Sequence, residues 1–215
     1  MHPATQAEWA LRIEEVLDQL DSPKQRLRLH VGRHDVQLTS LDRPLWPTAS
    51  PPVTKRDFLR YLVQAAPYLL PHLETRPVFV TRYPGGIEGE SFYQKSWPDP
   101  PPFVRTLPVW SSSSNAAKPL LLVANLATLL WLGQQAALEL HVWFSRTGRS
   151  FDGHGLGTRW NESEAGLLGS RLNYPDFLVV DLDAYLYSGR ERPGEEPELH
   201  REGFARVRDV AFEVR

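Results

Sequence analysis

The chain has 215 residues, of which 41% are hydrophobic and 23% charged, so it can build a core and is not a disordered chain. It lacks cysteine, which excludes disulfides and thiolate metal sites and leaves oxygen or imidazole as metal ligands. A formal net charge of −2 excludes a surface that is basic all over and binds nucleic acid non-specifically. Any contact with DNA must therefore use a local basic patch. No apolar run approaches the roughly 20 residues that span a bilayer, and the N-terminus MHPATQAEW lacks the basic-then-apolar order of a signal peptide. We therefore expect a cytoplasmic protein with no membrane partner.

The first half of the chain alternates helix and strand signals. Thr54 and Asp57 have the spacing of a capping box at the start of a helix, which Pro67 is expected to kink or end early. The expected elements, in chain order, are an amphipathic helix over 5–20, a hairpin from strands 26–31 and 35–39, the helix from Thr54, and strands 78–82 and 91–95.

The second half continues the alternation but holds two irregular segments. The expected elements are a strand over 120–123, a helix over 126–136 capped by Asn125, strands 138–143 and 176–183, and a helix from Gly203 that buries Phe204, Val207, Val210, Ala211 and Val214. The segment WSSSSNAAK (110–118) has the composition of a flexible loop. Residues 146–173 are expected to form a long inserted loop, of the kind that is more often functional or mobile.

Together these elements predict an α+β (mixed α/β) fold, in which helices flank one sheet. The length predicts a single domain over 1–215, with an N-terminal helical segment within 1–25.

The pair Asp181 and Asp183 ends the apolar run DFLVVDLD. On a strand, residues two apart face the same side at roughly 6–7 Å, so two carboxylates would converge there. Such a pair suits Mg²⁺ or Mn²⁺, which prefer oxygen ligands and can support nucleotidyl transfer. The alternative is that both aspartates are simply solvated at the end of a strand, because Asp-x-Asp is a short and common motif.

Several separated segments resemble, in the correct order, the polymerase domain of bacterial ATP-dependent DNA ligase D, which belongs to the archaeo-eukaryotic primase superfamily. The resembling segments are LTSLDRPLWP (38–47), VTKRDFLRYL (53–62), RPVFVTRYPGGIEGESFYQK (76–95), NLATLLWLGQQAALELHVW (125–143) and DFLVVDLD (176–183). The resemblance implies a primase-polymerase-like sheet flanked by helices. It also implies a repair polymerase that acts on DNA ends in non-homologous end joining.

The resemblance implies a role for each matching residue. Asp181 and Asp183 would be catalytic ligands of Mn²⁺ or Mg²⁺; His141, Phe92 and Tyr93 would bind nucleotide or template; Arg43 and Lys55 would bind a 5′-phosphate; Arg82 and Lys95 would contact DNA phosphate. The implied partners are 5′-phosphorylated DNA ends or gaps, nucleoside triphosphates, Ku and a DNA ligase, and the implied location is the cytoplasm at the nucleoid. Plainer alternatives are core packing for the aromatic pair and His141, and solvated charge for the basic residues.

The sequence also departs from the family pattern. The Ser-Gly-Gly-Lys-Gly-x-His segment and the third metal-binding aspartate have no counterpart, and Ala184 stands where proline is usual. We therefore expect the N-terminal portion, about two-thirds, of a catalytic domain. Three functions stay open: an end-joining nucleotidyltransferase, a catalytically inactive module that binds 5′-phosphorylated DNA ends, and a fragment without activity.

Overall fold

A computed structural model of the chain describes residues 6–147, 157–182 and 201–213. Where the sequence predicts one domain over 1–215, the chain divides into two compact units, Met1–Asp176 and Phe177–Arg215. The first unit combines helices with antiparallel sheet, so the predicted α+β class is confirmed. In the described part of the chain, no helix is both long and apolar enough to cross a bilayer.

The elements of the first unit follow each other in this order: α1 (Gln6–Leu20), β1 (Leu27–Val31), β2 (His34–Leu38), β3 (Pro44–Trp46), β4 (Val53–Thr54), α2 (Lys55–Leu73), β5 (Pro77–Arg82), β6 (Phe92–Gln94), β7 (Arg105–Ser111), β8 (Ala116–Leu122), α3 (Leu126–Gln134), β9 (Ala137–Val142), α4 (Glu164–Leu168) and a 3₁₀ turn (Arg171–Asn173). In the second unit, α5 spans Arg201–Glu213. The predicted N-terminal helix and the β1–β2 hairpin are confirmed.

The five-stranded sheet is organised around β5. Strand β9 pairs antiparallel with β5 over most of its length, with Thr81 opposite Glu139 and Phe79 opposite His141. The other edge of β5 is shared by β8 at its start and β6 at its end, and β7 pairs with β8. One face of β5 is buried, since Val78 and Val80 are fully inaccessible to solvent. The residues that alternate with them point to the other face.

Helix α3 packs against β9, and α2 packs against α3. Thr54 and Asp57 form the predicted capping box: the Thr54 amide donates to Asp57 Oδ2 at 2.8 Å, and the Asp57 amide donates to Thr54 Oγ1 at 3.2 Å. The prediction that Pro67 ends this helix early is wrong, because α2 continues to Leu73, while a kink at Pro67 stays a prediction. A proline costs about 3 kcal/mol in a helix. Burial of Leu70 and Leu73 beyond it offsets that cost at about 1.5–3 kcal/mol each.

The predicted flexible loop over 110–118 is wrong. Strands β7 and β8 pair from Arg105↔Leu122 to Ser111↔Ala116, so only 112–115 form the turn of a hairpin. Serine-rich composition indicated a loop, but ladder hydrogen bonds to the neighbouring strand hold the flanking residues. Strand β7 had no prediction, because its apolar residues are interrupted by Arg105 and Pro108.

The described part of 146–173 is folded, which the prediction of a long loop did not anticipate. Within 157–173 lie α4, the 3₁₀ turn and a bridge between Gly157 and Ser170. Leu172 is buried with Val109 and Leu120. Burial of this one apolar side chain against β7 and β8 therefore packs the otherwise polar segment 157–173 on the β7–β8 hairpin. Residues 148–156 lie outside the described residues.

The predicted buried strand over 176–183 is wrong for the residues that the structure describes. Residues 177–182 have no assigned secondary structure, and the side chains of Leu178 and Val179 are 75% and 61% exposed. A strand needs a ladder partner, and apolar β-branched composition does not supply one. Asp183 lies outside the described residues.

The predicted final helix exists as α5, but its predicted buried face is wrong. Phe204 and Val210 are 56% and 44% exposed, Ala211 is exposed, and Val207 is half-buried. Helical periodicity predicts which residues share a face, whereas burial requires a surface for that face to pack against. Val214 lies outside the described residues.

The loop after β5 is fixed by a close backbone contact at Gly86, so we expect Gly86→Ala to destabilise the fold. Gly86 has φ +91°, and a Cβ there would lie 2.9 Å from the Leu45 carbonyl oxygen. The expected loss is about 2–3 kcal/mol of unfolding free energy, from strain plus displaced backbone. Gly32→Ala is the matched control: its φ of +59° carries the same kind of strain, but no atom lies within 4 Å of the new Cβ. Urea unfolding should show a clearly larger loss for Gly86→Ala, and equal losses would contradict this reason.

Candidate nucleotide and DNA-end site

A basic pair, Arg43 and Lys55, lies where α2 begins. The Lys55 amide donates to the Arg43 carbonyl at 2.9 Å, which joins the start of α2 to the residue just before β3. Lys55 is only 6% exposed, and its Nζ donates to the Thr39 carbonyl at 3.2 Å. Burial, and then the charge of Arg43, lower the pKa of Lys55. Two cations held together with one partly desolvated make a strong local site for an anion.

The neighbouring Arg56 has a different task. Its guanidinium donates to the carbonyls of Leu20, Ser22 and Lys24 at 2.6–2.9 Å and pairs with Asp42 at 2.9 Å. These bonds fasten the loop after α1 to the helix that carries Lys55. Arg56 is therefore a structural residue, although sequence alone does not separate it from Lys55.

The exposed face of the sheet carries polar and aromatic side chains from β5, β6 and β9. His141 lies on this face: its Nε2 is 2.8 Å from Thr81 Oγ1 and 3.3 Å from Glu139 Oε2. The Tyr83 hydroxyl donates to Glu139 Oε1. The hydrogen bonds from Tyr83 and then Thr81 lower the pKa of Glu139, while the bond to Glu139 raises the pKa of Tyr83. We call Thr81, Tyr83, Glu139 and His141 the sheet-face network.

Tyr93 packs beside the sheet-face network. Its ring lies edge-on to His141 at 5.2 Å between centroids and edge-on to Phe79 at 5.8 Å. Lys95 Nζ lies 5.9 Å from the centre of the Tyr93 ring. Burial raises the pKa of Tyr93. These contacts place Tyr93, Lys95 and His141 together, as three of the predicted site residues.

Phe92 points to the opposite face of the strand from Tyr93, because consecutive strand residues alternate. There the Arg82 guanidinium lies 5.0 Å from the Phe92 ring centre and 4.8 Å from that of Trp97. Arg82 also donates to the Gln135 carbonyl, Gln135 Oε1 and Gln94 Oε1, each at 3.0 Å. Burial lowers the pKa of Arg82. The aromatic pair is thus split between two surroundings, which its adjacency in sequence did not reveal.

Thr81, Tyr83 and Glu139 had no predicted role. The sequence Glu-Leu-His did place Glu139 and His141 on one face of a strand, which was the available signal. Their pairing with Thr81 depends on the register between β5 and β9, and that register is a tertiary property.

The metal that the resemblance implies would be held by Asp181 and Asp183. Asp181 is exposed, in the second unit, and Asp183 lies outside the described residues. Across residues 6–147, 157–182 and 201–213, no three His, Cys, Asp or Glu side chains converge as metal ligands. The fit to a hard divalent cation therefore rests on the oxygen chemistry of this pair.

A cleft of about 540 Å³ lies between the β1–β2 turn and the C-terminal end of α3. His34, Phe103 and Trp131 are among the residues that line it, and the rings of His34 and Phe103 are 5.5 Å apart. None of the predicted site residues line this cleft. The predicted site residues lie instead in separate places, among them the basic pair and the sheet face around Tyr93 and His141.

The fold and these side chains define an α+β domain with a polar, aromatic sheet face and a separate basic pair. The LigD primase-polymerase domain family matches residues 54–215, about three-quarters of the chain. The chain therefore belongs to this family.

Relatives with curated names are similar over half of the chain. The bifunctional non-homologous end joining protein LigD of Bacillus subtilis (strain 168) is 41% identical over 110 residues, which are 51% of this chain and 17% of that protein. The multifunctional non-homologous end joining DNA repair protein LigD of Mycobacterium tuberculosis H37Rv is 32% identical over 108 residues, which are 50% of this chain and 14% of that protein. The chain thus spans a small part of the length of these relatives.

Among solved structures, the polymerase domain from Mycobacterium tuberculosis ligase D in complex with DNA is similar at 30% identity. The match covers 52% of this chain and 38% of that one, with a TM-score of 0.48.

Proposed function

We propose that the chain binds 5′-phosphorylated DNA ends or gaps and supports nucleotide addition there, as a repair polymerase of non-homologous end joining. The observation that carries the proposal is the basic pair, since Lys55 is a partly desolvated cation with a lowered pKa beside Arg43. A terminal phosphate carries up to two negative charges and can accept charge-assisted hydrogen bonds from both side chains. Membership of the family supports the polymerase activity.

In this proposal the sheet face receives the nucleotide and the template. Tyr93 would stack on a base, which contributes about 1–3 kcal/mol and tolerates any sequence. His141 and Lys95, which flank Tyr93, would contact the nucleotide and the phosphate backbone. Arg82 would contribute to DNA binding indirectly, because its guanidinium packs against the Phe92 ring. Its N–H groups meanwhile donate to Gln94 and Gln135.

Asp181 and Asp183 would hold Mn²⁺ or Mg²⁺. Bound there, the cation would supply neutralisation of triphosphate charge and activation of the attacking hydroxyl. Nucleoside triphosphates are the proposed substrates. Ku and a DNA ligase are the proposed partners, since the similar relatives carry end joining in their names.

A second candidate function is a module that binds 5′-phosphorylated ends without chemistry. The observation that favours it is that Arg43 and Lys55 are joined in the described structure, whereas Asp181 is exposed and, among the described residues, belongs to no group of three possible metal ligands. The two candidates share the phosphate site and differ in whether extension occurs.

We expect Lys55→Gln to weaken binding of a 5′-phosphorylated gapped duplex by about tenfold to a hundredfold, because one charge-assisted hydrogen bond contributes about 1.5–3 kcal/mol. The same duplex without the phosphate should bind the variant and the wild type about equally. The variant should fold at least as well, since it removes a desolvated charge and glutamine can still donate to Thr39. Fluorescence anisotropy on both duplexes measures the effect.

Lys24→Gln, at an exposed lysine, is the matched control and should bind both duplexes like the wild type. The proposed phosphate site is refuted if Lys55→Gln and Lys24→Gln bind the phosphorylated duplex with equal affinity. It is also refuted if the wild type binds the duplexes with and without the 5′-phosphate equally well. Extension of the gapped duplex with Mn²⁺ and nucleoside triphosphate then separates the polymerase from the binding module.

A further inference from the structure

The groups around His141 determine which of its two ring nitrogens carries the hydrogen. His141 Nε2 lies 2.8 Å from Thr81 Oγ1 and 3.3 Å from Glu139 Oε2. An ionised carboxylate accepts only, so the nitrogen that faces it is the donor. The Thr81 hydroxyl oxygen then accepts from the same N–H. The imidazole therefore carries a hydrogen on Nε2.

Glu139 is held in the ionised form that this direction requires. The Tyr83 hydroxyl donates to one carboxylate oxygen of Glu139, while the other lies 3.3 Å from His141 Nε2. The bonds from Tyr83 and then Thr81 lower the pKa of Glu139. Glu139 sits directly opposite Thr81 in the sheet, so the backbone register fixes the distance between them.

The second ring nitrogen of His141, Nδ1, has no hydrogen-bond partner among the described residues. The Tyr93 ring packs edge-on against the imidazole at 5.2 Å and limits its rotation. The His141 side chain is 44% exposed on the sheet face. One nitrogen is thus committed to the protein and the other is available to a ligand.

We infer that Glu139, together with Thr81, is a positioning residue that keeps the proton of His141 on Nε2 and presents Nδ1, as a hydrogen-bond acceptor, to a hydroxyl or base N–H donor of the incoming nucleoside triphosphate. A carboxylate that orients an imidazole in this way fixes its tautomer and direction. The inference deepens the proposed function and rests on it for the identity of the ligand.

The first test reads the ring directly and needs no ligand. In ¹⁵N-edited NMR spectra at a pH where His141 is neutral, with the signal assigned from a His141→Gln variant, the wild type should show the Nε2–H tautomer. Thr81→Val and Glu139→Gln should each shift the ring toward a mixture, whereas Thr81→Ser, which keeps the hydroxyl, should retain the wild-type pattern. If the Val and Gln variants keep the Nε2–H tautomer, the positioning role is refuted.

The second test measures the affinity for nucleoside triphosphate with Mn²⁺. Thr81→Val and Glu139→Gln should bind about threefold to tenfold more weakly, the size of one hydrogen bond between neutral groups. Thr81→Ser and Glu90→Gln, an exposed glutamate in the loop after β5, should bind like the wild type. A shifted tautomer with unchanged affinity refutes the inference. A wild-type chain that binds no triphosphate refutes the proposed function instead, so the two failures are distinguishable.

Discussion

Replacing Asp181 by asparagine is expected to reduce Mn²⁺-dependent extension of a gapped duplex by about a hundredfold or more while leaving 5′-phosphate-dependent binding intact. Several kcal/mol of transition-state stabilisation depend on a bound divalent cation, and each 1.36 kcal/mol is a factor of about ten in rate. Asparagine keeps the shape of the side chain but removes the charge that holds the cation. Because Asp181 is exposed, the substitution should leave the unfolding free energy nearly unchanged.

Asp99→Asn, at an exposed aspartate after β6, is the matched control and should extend like the wild type. Single-turnover extension with saturating DNA measures the chemical step apart from binding. If the wild type extends and Asp181→Asn extends equally well, Asp181 is not part of the catalytic site. If the wild type binds the phosphorylated duplex without extending it, the binding module is the correct function.

The largest effect on stability is expected for Asp176→Ala, at about 3 kcal/mol of unfolding free energy. Arg76 is 2% exposed and pairs with Asp176, with Nη1 to Oδ1 at 2.7 Å and Nη2 to Oδ2 at 2.8 Å. Arg146 Nε also donates to Asp176 Oδ2 at 3.0 Å. Removing the carboxylate takes two short ion-pair contacts from a buried guanidinium, which is more costly than losing an exposed ion pair. Urea unfolding measures the loss.

Glu162→Ala is the matched control, because its pair with Arg159 is exposed on both sides and spans 3.9 Å. We expect a loss of about 0–1 kcal/mol for this pair. If the two variants lost the same unfolding free energy, the buried Arg76–Asp176 pair would stabilise the fold no more than an exposed pair does.

The Arg76–Asp176 pair also predicts that the stability of the protein depends on pH. Burial alone would raise the pKa of Asp176, but hydrogen bonds and charge from Arg76 and then Arg146 outweigh it and lower the pKa below its ordinary value. A carboxyl with a lowered pKa in the folded state contributes its full stability above its unfolded pKa of about 3.9. That contribution is lost as the pH falls through the folded value. The difference between wild type and Asp176→Asn should therefore shrink below about pH 4, and a constant difference would contradict the assignment.

Local rules predicted the elements whose signals are carried by neighbours in sequence. The capping box at Thr54 and Asp57 and the Asn125 cap of α3 were both predicted from the sequence, because each depends on residues within three positions. The same locality explains the failures. Pro67 predicted a short α2, and four serines predicted a loop in place of the β7–β8 hairpin. Both predictions failed because the packing of α2 and the hydrogen bonds between β7 and β8 cannot be seen in the local sequence.

The family motifs located the site residues but not their arrangement. Arg43 and Lys55 are twelve positions apart and meet through the bond between the Arg43 carbonyl and the Lys55 amide. Phe92 and Tyr93 are adjacent in sequence and lie in different surroundings. Their roles in binding DNA and nucleotide stay predictions until the variants are measured.

The amino-acid sequence by itself determined the α+β class, the capped helices and the membership of the primase-polymerase family, because these follow from local patterns and motif order. Only the tertiary structure decided that Thr81 and Glu139 meet at His141, that Lys55 is desolvated beside Arg43, and that the apolar residues 177–180 are exposed. The physical reason is that strand register and burial arise between segments far apart in the chain, where no local periodicity reports them.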